Sequence, residues 1–392
     1  MRFRQAIRLQ LTAILAGCLA CPPASALVTL NDSHDHIFVN TTFGVSHDSN
    51  IFATNDSPGD FVYSTGLTAE YSRRAGWIGV NAGVSMGASR YGKVKNQNFS
   101  NPSYSLELQK QSGRTTGALS ISAARESRAD AAVNLRTQSW NYSAGLSFHY
   151  PIIERYSVSG GLGYSGHTYS GNAALSNLAT YSANLDLLYL LPRERDLIVG
   201  YRYRYGETSR NTGSADHSLT VGVNGPLLFG LNGAVRVGYQ TRVPKGIVVG
   251  SGNFSAWTAN ASTTYAINRK ISLTGSLAKD FSTTATDSSV DSTTATLDAK
   301  FSYSRRFSFS LTSGWTDSHF LGETGRIVLS SSPLVLGPNR HDQSANWGAS
   351  IGYSRSEHLS LSFGYTWFSN WSTISYADFI RTGWSLSMSS RW

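Results

Sequence analysis

Cysteine is nearly absent: the 392 residues hold two, Cys18 and Cys21, and both precede Ala26. Beyond that point neither a disulfide framework nor a thiolate metal site is available. Charge is also scarce, at 15% of residues, against about 25% in soluble chains. That is too little to coat the two soluble domains the length alone would suggest. Disorder, which needs low hydrophobicity with high net charge, and coiled coil, which needs abundant Ala, Glu, Lys and Leu, are both disfavoured. After Ala26 no run of 18 apolar residues occurs, which excludes helical membrane spans. What is abundant is serine, whose 59 copies outnumber the 33 basic and 24 acidic residues together.

Residues 1–26 read as an export signal, with basic Arg2, Arg4 and Arg8, an apolar segment at 9–20 and an Ala24-Ser25-Ala26 cleavage site. A competing lipobox, Leu15-Ala16-Gly17-Cys18, would instead direct cleavage and acylation at Cys18. Loss of the three signal arginines lowers the formal charge from +9 to +6. The remaining basic residues are scattered, so no nucleic-acid partner is expected. The expected organisation is a signal peptide at 1–26, a periplasmic lead-in at 27–35 and one barrel at 36–392.

The dominant pattern has a period of two. Leu359, Leu361, Phe363, Tyr365 and Trp367 alternate with Ser360, Ser362, Gly364 and Thr366, and similar segments recur along the chain. One face of each strand is apolar, the other small and polar. These segments are commonly ten residues or more, the length that crosses hydrocarbon at a tilt, where soluble strands average about 5–6. Trp77, Tyr91, Trp140, Tyr150, Trp315, Tyr353 and Trp367 sit near strand ends, as interfacial girdles require.

The fold class is therefore all-β: a single transmembrane antiparallel up-and-down β-barrel of 18 strands, or 16 if one segment is split wrongly. Tight turns such as Arg73-Arg74-Ala75-Gly76 and Gln111-Ser112-Gly113 follow every second strand, and longer polar connections follow most others. Trp384, Leu386, Met388 and Trp392 share one parity at the C-terminus and resemble the signal read by the bacterial barrel-insertion machinery. The implied location is the bacterial outer membrane, with its lipid as partner.

Opposite parity marks the lumen, where most side chains are Ser, Thr, Asn or Gly. The charged exceptions are Glu70, Glu107, Asp186, Arg202, Arg204, Arg236, Asp298 and Lys300. An Arg or Lys facing mid-membrane lipid would cost about 2–4 kcal/mol, which favours the interior. The set is balanced in sign and reads either as a selective pore lining or as ion pairs bracing the wall. Residues 316–342, with Ile327-Val328-Leu329 and Leu334-Val335-Leu336, and residues 242–253 are the connections that could fold into the lumen or contact a partner; each could equally pack on itself above the rim.

No catalytic, cofactor or metal site is expected. G-x-S-x-G occurs at Gly83–Gly87 and Gly348–Gly352, but both matches lie in alternating segments and not at a strand-to-helix elbow. No H-E-x-x-H occurs. His47, His167, His217, His319 and His341 read as solvated histidines in or beside loops. His34-Asp35-His36, on a flexible lead-in, is weak as a metal site.

The segment Asp48-Ser49-Asn50-Ile51-Phe52, closing the first strand, resembles the opening of the β-barrel porin 2 family of bacterial outer-membrane proteins. The resemblance implies a barrel linked to exopolysaccharide export, with polysaccharide and a periplasmic export component as partners. It supplies no catalytic residues. Physically, Asp48, Ser49 and Asn50 suit an Asx-type turn that stops the strand, and Ile51 and Phe52 suit anchoring of the loop to the rim. A polysaccharide conduit, a general or solute-selective diffusion porin and a non-conducting structural or adhesive barrel are the readings that follow.

Overall fold

The computed structural model describes residues 28–30, 35–74, 76–171, 175–245, 252–321, 325–329, 332–336 and 340–392. The export signal and the lipobox at Cys18 lie outside the described residues.

Eighteen strands form the wall: β1 (Asp35–Asp48), β2 (Asp60–Arg73), β3 (Gly79–Tyr91), β4 (Phe99–Lys110), β5 (Thr116–Asp130), β6 (Leu135–Ile153), β7 (Tyr156–Ser170), β8 (Leu178–Leu191) and β9 (Arg195–Thr208), followed by β10 (Gly213–Leu228), β11 (Leu231–Lys245), β12 (Phe254–Ala266), β13 (Ile271–Thr283), β14 (Ser289–Ser302), β15 (Phe307–Leu321), β16 (His341–Ser354), β17 (Leu359–Ser372) and β18 (Phe379–Arg391). Each pairs antiparallel with its chain neighbours, and β1 pairs with β18 from Asn40↔Arg391 to Asp48↔Gly383, which closes the barrel. Reciprocal bonds between Val39 and Trp392 finish the seam. Closure removes the unpaired edges that an open sheet would present.

The shortest wall strand has 12 residues and the longest 19, enough to cross a hydrocarbon core of about 30 Å when tilted. Leu67, Val221, Leu311 and Leu386 are among the many apolar side chains left exposed on the outer face. The serine excess has a structural outlet on the inner face. Ser310 meets Ser350 at 2.6 Å, Ser360 meets Ser389 at 2.6 Å and Ser362 meets Ser387 at 2.7 Å, each a directly opposed cross-strand pair. Such pairs satisfy short polar side chains along the wall without filling the interior.

Turns after even-numbered strands are short, and connections after odd-numbered strands run to 322–340. Several boundaries differ from expectation. β10 starts at Gly213 and not near His217, β11 continues through Arg242 to Lys245, and β15 extends past Thr316 to Leu321. Trp77 lies exposed just before β3, whereas Tyr91 is buried, with the Arg136 guanidinium 5.1 Å from its ring centroid, and so does not belong to a lipid-facing girdle. The two apolar runs of 316–342 pair with each other as a short hairpin, Gly325–Leu329 against Ser332–Leu336.

Candidate functional site: a crossed mouth and a charged cavity

Arg204, Asp216 and Arg242 are direct cross-strand partners on β9, β10 and β11, all on the inner face. Arg204 donates to Asp216 Oδ2 at 2.7 Å, and Arg242 donates to both Asp216 oxygens at 2.7 and 2.8 Å. Asp216 is thus shared between two guanidinium groups, and Arg242 is only 2% exposed. Asp280 on β13 joins from four strands away, accepting from Arg202 at 2.9 Å and from Arg204 at 3.0 Å. A second pair, Arg236 to Asp186, links β11 to β8 at 2.9 Å. Gly200, directly opposite Asp186, gives that carboxylate room, because a Cβ at this position would collide with Asp186 Oδ1.

Asp280 reaches so far because the wall parts at its loop end. The β12–β13 ladder stops at Ala259↔Lys279, whereas β13 remains paired with β14 as far as Thr283↔Ser289. The top of this hairpin bends into the lumen. Backbone carbonyls at that bend must find donors: Thr258 Oγ1 donates to Lys279 O, Arg204 to Phe281 O and Arg242 to Ser282 O. The β4–β5 ladder also stops early, at Ser103↔Ala124, next to Pro102, which has no N–H to contribute.

The two bent tips meet. Val133 from the β5–β6 tip, Leu175 from the β7–β8 connection and Ala285 from the β13–β14 tip form one buried apolar cluster. β5–β6 and β13–β14 lie eight strands apart in a ring of eighteen, so this contact spans the lumen. Arg340, 3% exposed at the start of β16, ties the same cover together by pairing with Asp342 and donating to the carbonyls of Ala131 and Ala132. A cavity of about 470 Å³ is lined by Ser182, Arg202, Arg204, Asp216 and Arg242 and by Thr283 and Asp287 of the β13–β14 tip. That is the size of a small-molecule site.

No protein-family model matches the chain, and no curated protein sequence does. Solved structures do resemble it. The FrpB iron transporter from Neisseria meningitidis (F5-1 variant) superposes with a TM-score of 0.50 at 10% identity, covering 88% of this chain and 64% of that one. That likeness is one of fold alone. Pseudomonas aeruginosa OpdK with vanillate gives 0.49 at 10% identity, covering 91% and 99% of the two chains. OccK2 (OpdF) of the same organism with glucuronate gives 0.48 at 12%, covering 91% and 98%.

The residues singled out in the sequence fall into three groups. Asp186, Arg202, Arg204 and Arg236 belong to the ionic network just described. Glu70 pairs with Arg391 at 3.5 Å, and Glu107 accepts from Gln109 at 2.6 Å, both on the inner face away from the mouth. Asp298 and Lys300 stand two residues apart on β14 without an ion pair among the described residues. Sequence reasoning missed Asp216, Arg242 and Asp280, which hold the network together.

Asp48–Phe52 braces the seam. Asp48 takes two bonds from Arg381 across β1 and β18, at 2.9 and 2.6 Å, and caps the turn by accepting from Asn50 N. Ile51 is fully buried, with its carbonyl accepting from Arg136. Along β18, Trp384 packs on Phe61 and Trp392 stacks on His358, while Leu386 stays exposed and Met388 lies opposite Phe43. Both G-x-S-x-G matches are inside strands β3 and β16. His34 of the lead-in cluster lies outside the described residues.

Proposed function

We propose that this chain is an outer-membrane channel selective for small anionic solutes, and not a conduit for polymer. The observation that carries this reading is the crossing of the lumen by the Val133 and Ala285 tips, the second of which also helps to line, through Ser282, Thr283 and Asp287, a cavity shared with Arg202, Arg204 and Arg242. A growing polysaccharide needs an unbroken lumen, whereas a small solute needs a narrow one whose charges it meets at close range. Arg202, Arg204 and Arg242 line the cavity together with Glu207, Asp216 and Asp287, and Arg202, whose one ionic partner is Asp280, keeps guanidinium donors for a solute there. Guanidinium matches carboxylate geometry in a way that lysine does not. The exposed apolar outer face and the export signal support insertion in the outer membrane.

Planar-bilayer recording of the purified chain tests the proposal. The expected result is a small unitary conductance with anion-over-cation selectivity. Joining Val133→Cys to Ala285→Cys with a short thiol-reactive linker locks the tips together and abolishes opening. A large, non-selective or cation-preferring conductance, or current indifferent to the link, overturns the reading.

A further inference from the structure

We propose that Asp317, His319 and His341 form a binding site for a divalent first-row transition ion such as zinc, on the outer face of the wall near its loop end. The register of β15 against β16 makes His319 and His341 direct cross-strand partners and places Asp317 opposite Gln343, two residues further along. These positions share parity with the exposed Trp315 and Trp347, which puts them outside the barrel and separate from the ionic network within. The two imidazoles stack with centroids 4.0 Å apart and planes 11° from parallel. Both direct Nε2 at one carboxylate: His341 lies 2.6 Å from Asp317 Oδ1 and His319 lies 3.0 Å from Oδ2. Gln343 donates to Asp317 Oδ1 at 3.1 Å and fixes the carboxylate. One donor atom from each of the three residues lies within 4.8 Å of the others.

Two imidazoles and one carboxylate are a ligand set of intermediate softness. It suits zinc, copper(II) or nickel, whereas calcium and magnesium require mostly oxygen. A hydrogen-bonded partner behind a ligating group, the part Gln343 plays, orients the ligand and raises affinity. The two strands are joined by residues 322–340, so a bound ion staples the base of the longest connection in the chain.

Titration calorimetry of the full chain in detergent micelles, with zinc as the probe and calcium as the control, tests the site. One zinc per chain is expected, with no heat from calcium. His319→Ala and His341→Ala each weaken binding at least about tenfold, while His47→Ala, on another part of the outer face, leaves it unchanged. Heat-modifiable electrophoretic migration shows whether each variant forms a barrel. Where one does not, the ligand-field spectrum of cobalt on the unaltered chain decides, and its absence overturns the proposal. Zinc binding that survives in the His319→Ala/His341→Ala double variant overturns it as well.

Discussion

Two parts of the inner wall handle polarity in opposite ways. Along the membrane-crossing middle of β15–β18 much of the lining is short hydroxyls, several paired across strands: Ser310 with Ser350, Ser360 with Ser389, Ser362 with Ser387. Along β8–β13 it is arginine and aspartate, whose long side chains reach strands three and four positions away. The difference is one of reach. A serine pair is satisfied within the wall and leaves the lumen open, whereas Arg204 and Arg242 share Asp216 and hold the bent β13 tip in place through its carbonyls. Of the two tips that meet across the lumen, the β13–β14 tip is therefore the one held by the arginine network.

Removing Asp216 breaks that contrast most severely. Asp216→Ala leaves two largely buried guanidinium groups without their shared carboxylate, a class of change that costs about 3–5 kcal/mol. Denaturant unfolding in lipid vesicles should show that loss, and a cost below about 1 kcal/mol would mean that the network does not hold the wall. Arg202→Gln is smaller in stability but decisive for selectivity. Its side chain is 37% exposed and has one ionic partner, so solvent screening limits the stability change to about 1 kcal/mol or less. The reversal potential in a salt gradient should move towards zero, and an unchanged value would place the selecting charges elsewhere.

The wall was legible in the sequence because its information is local. Tyr201, Tyr203 and Tyr205 alternate with Arg202 and Arg204, so parity alone assigns both arginines to the face opposite the tyrosines, where they join Asp216 and Asp280. The loop end was less legible. Gly213-Ser214-Ala215-Asp216 contains no large apolar residue to mark a face, so β10 read as starting late and Asp216 went unnoticed. Arg242 reads as the start of a loop because β11 continues past the point where its apolar alternation weakens. The crossing of Val133 and Ala285 depends on two hairpins eight strands apart, and only Pro102 marks in the sequence where one of them leaves the wall. His319 and His341 face the same difficulty, since their opposition rests on a register set across residues 322–340.

The hydroxyl side offers the smallest effect and the sharpest control. Ser362→Ala with Ser387→Ala removes both members of one cross-strand pair, so no buried donor or acceptor is stranded. The pair is exposed to the lumen, where water takes the place of either hydroxyl, so deleting both partners is nearly neutral. The expected change in unfolding free energy is within about 0.5 kcal/mol, with conductance and ion selectivity unaltered in the same bilayer assay. A selectivity shift as large as that of Arg202→Gln would mean that solute passes along the serine wall, and the functional division between the two sides would fail.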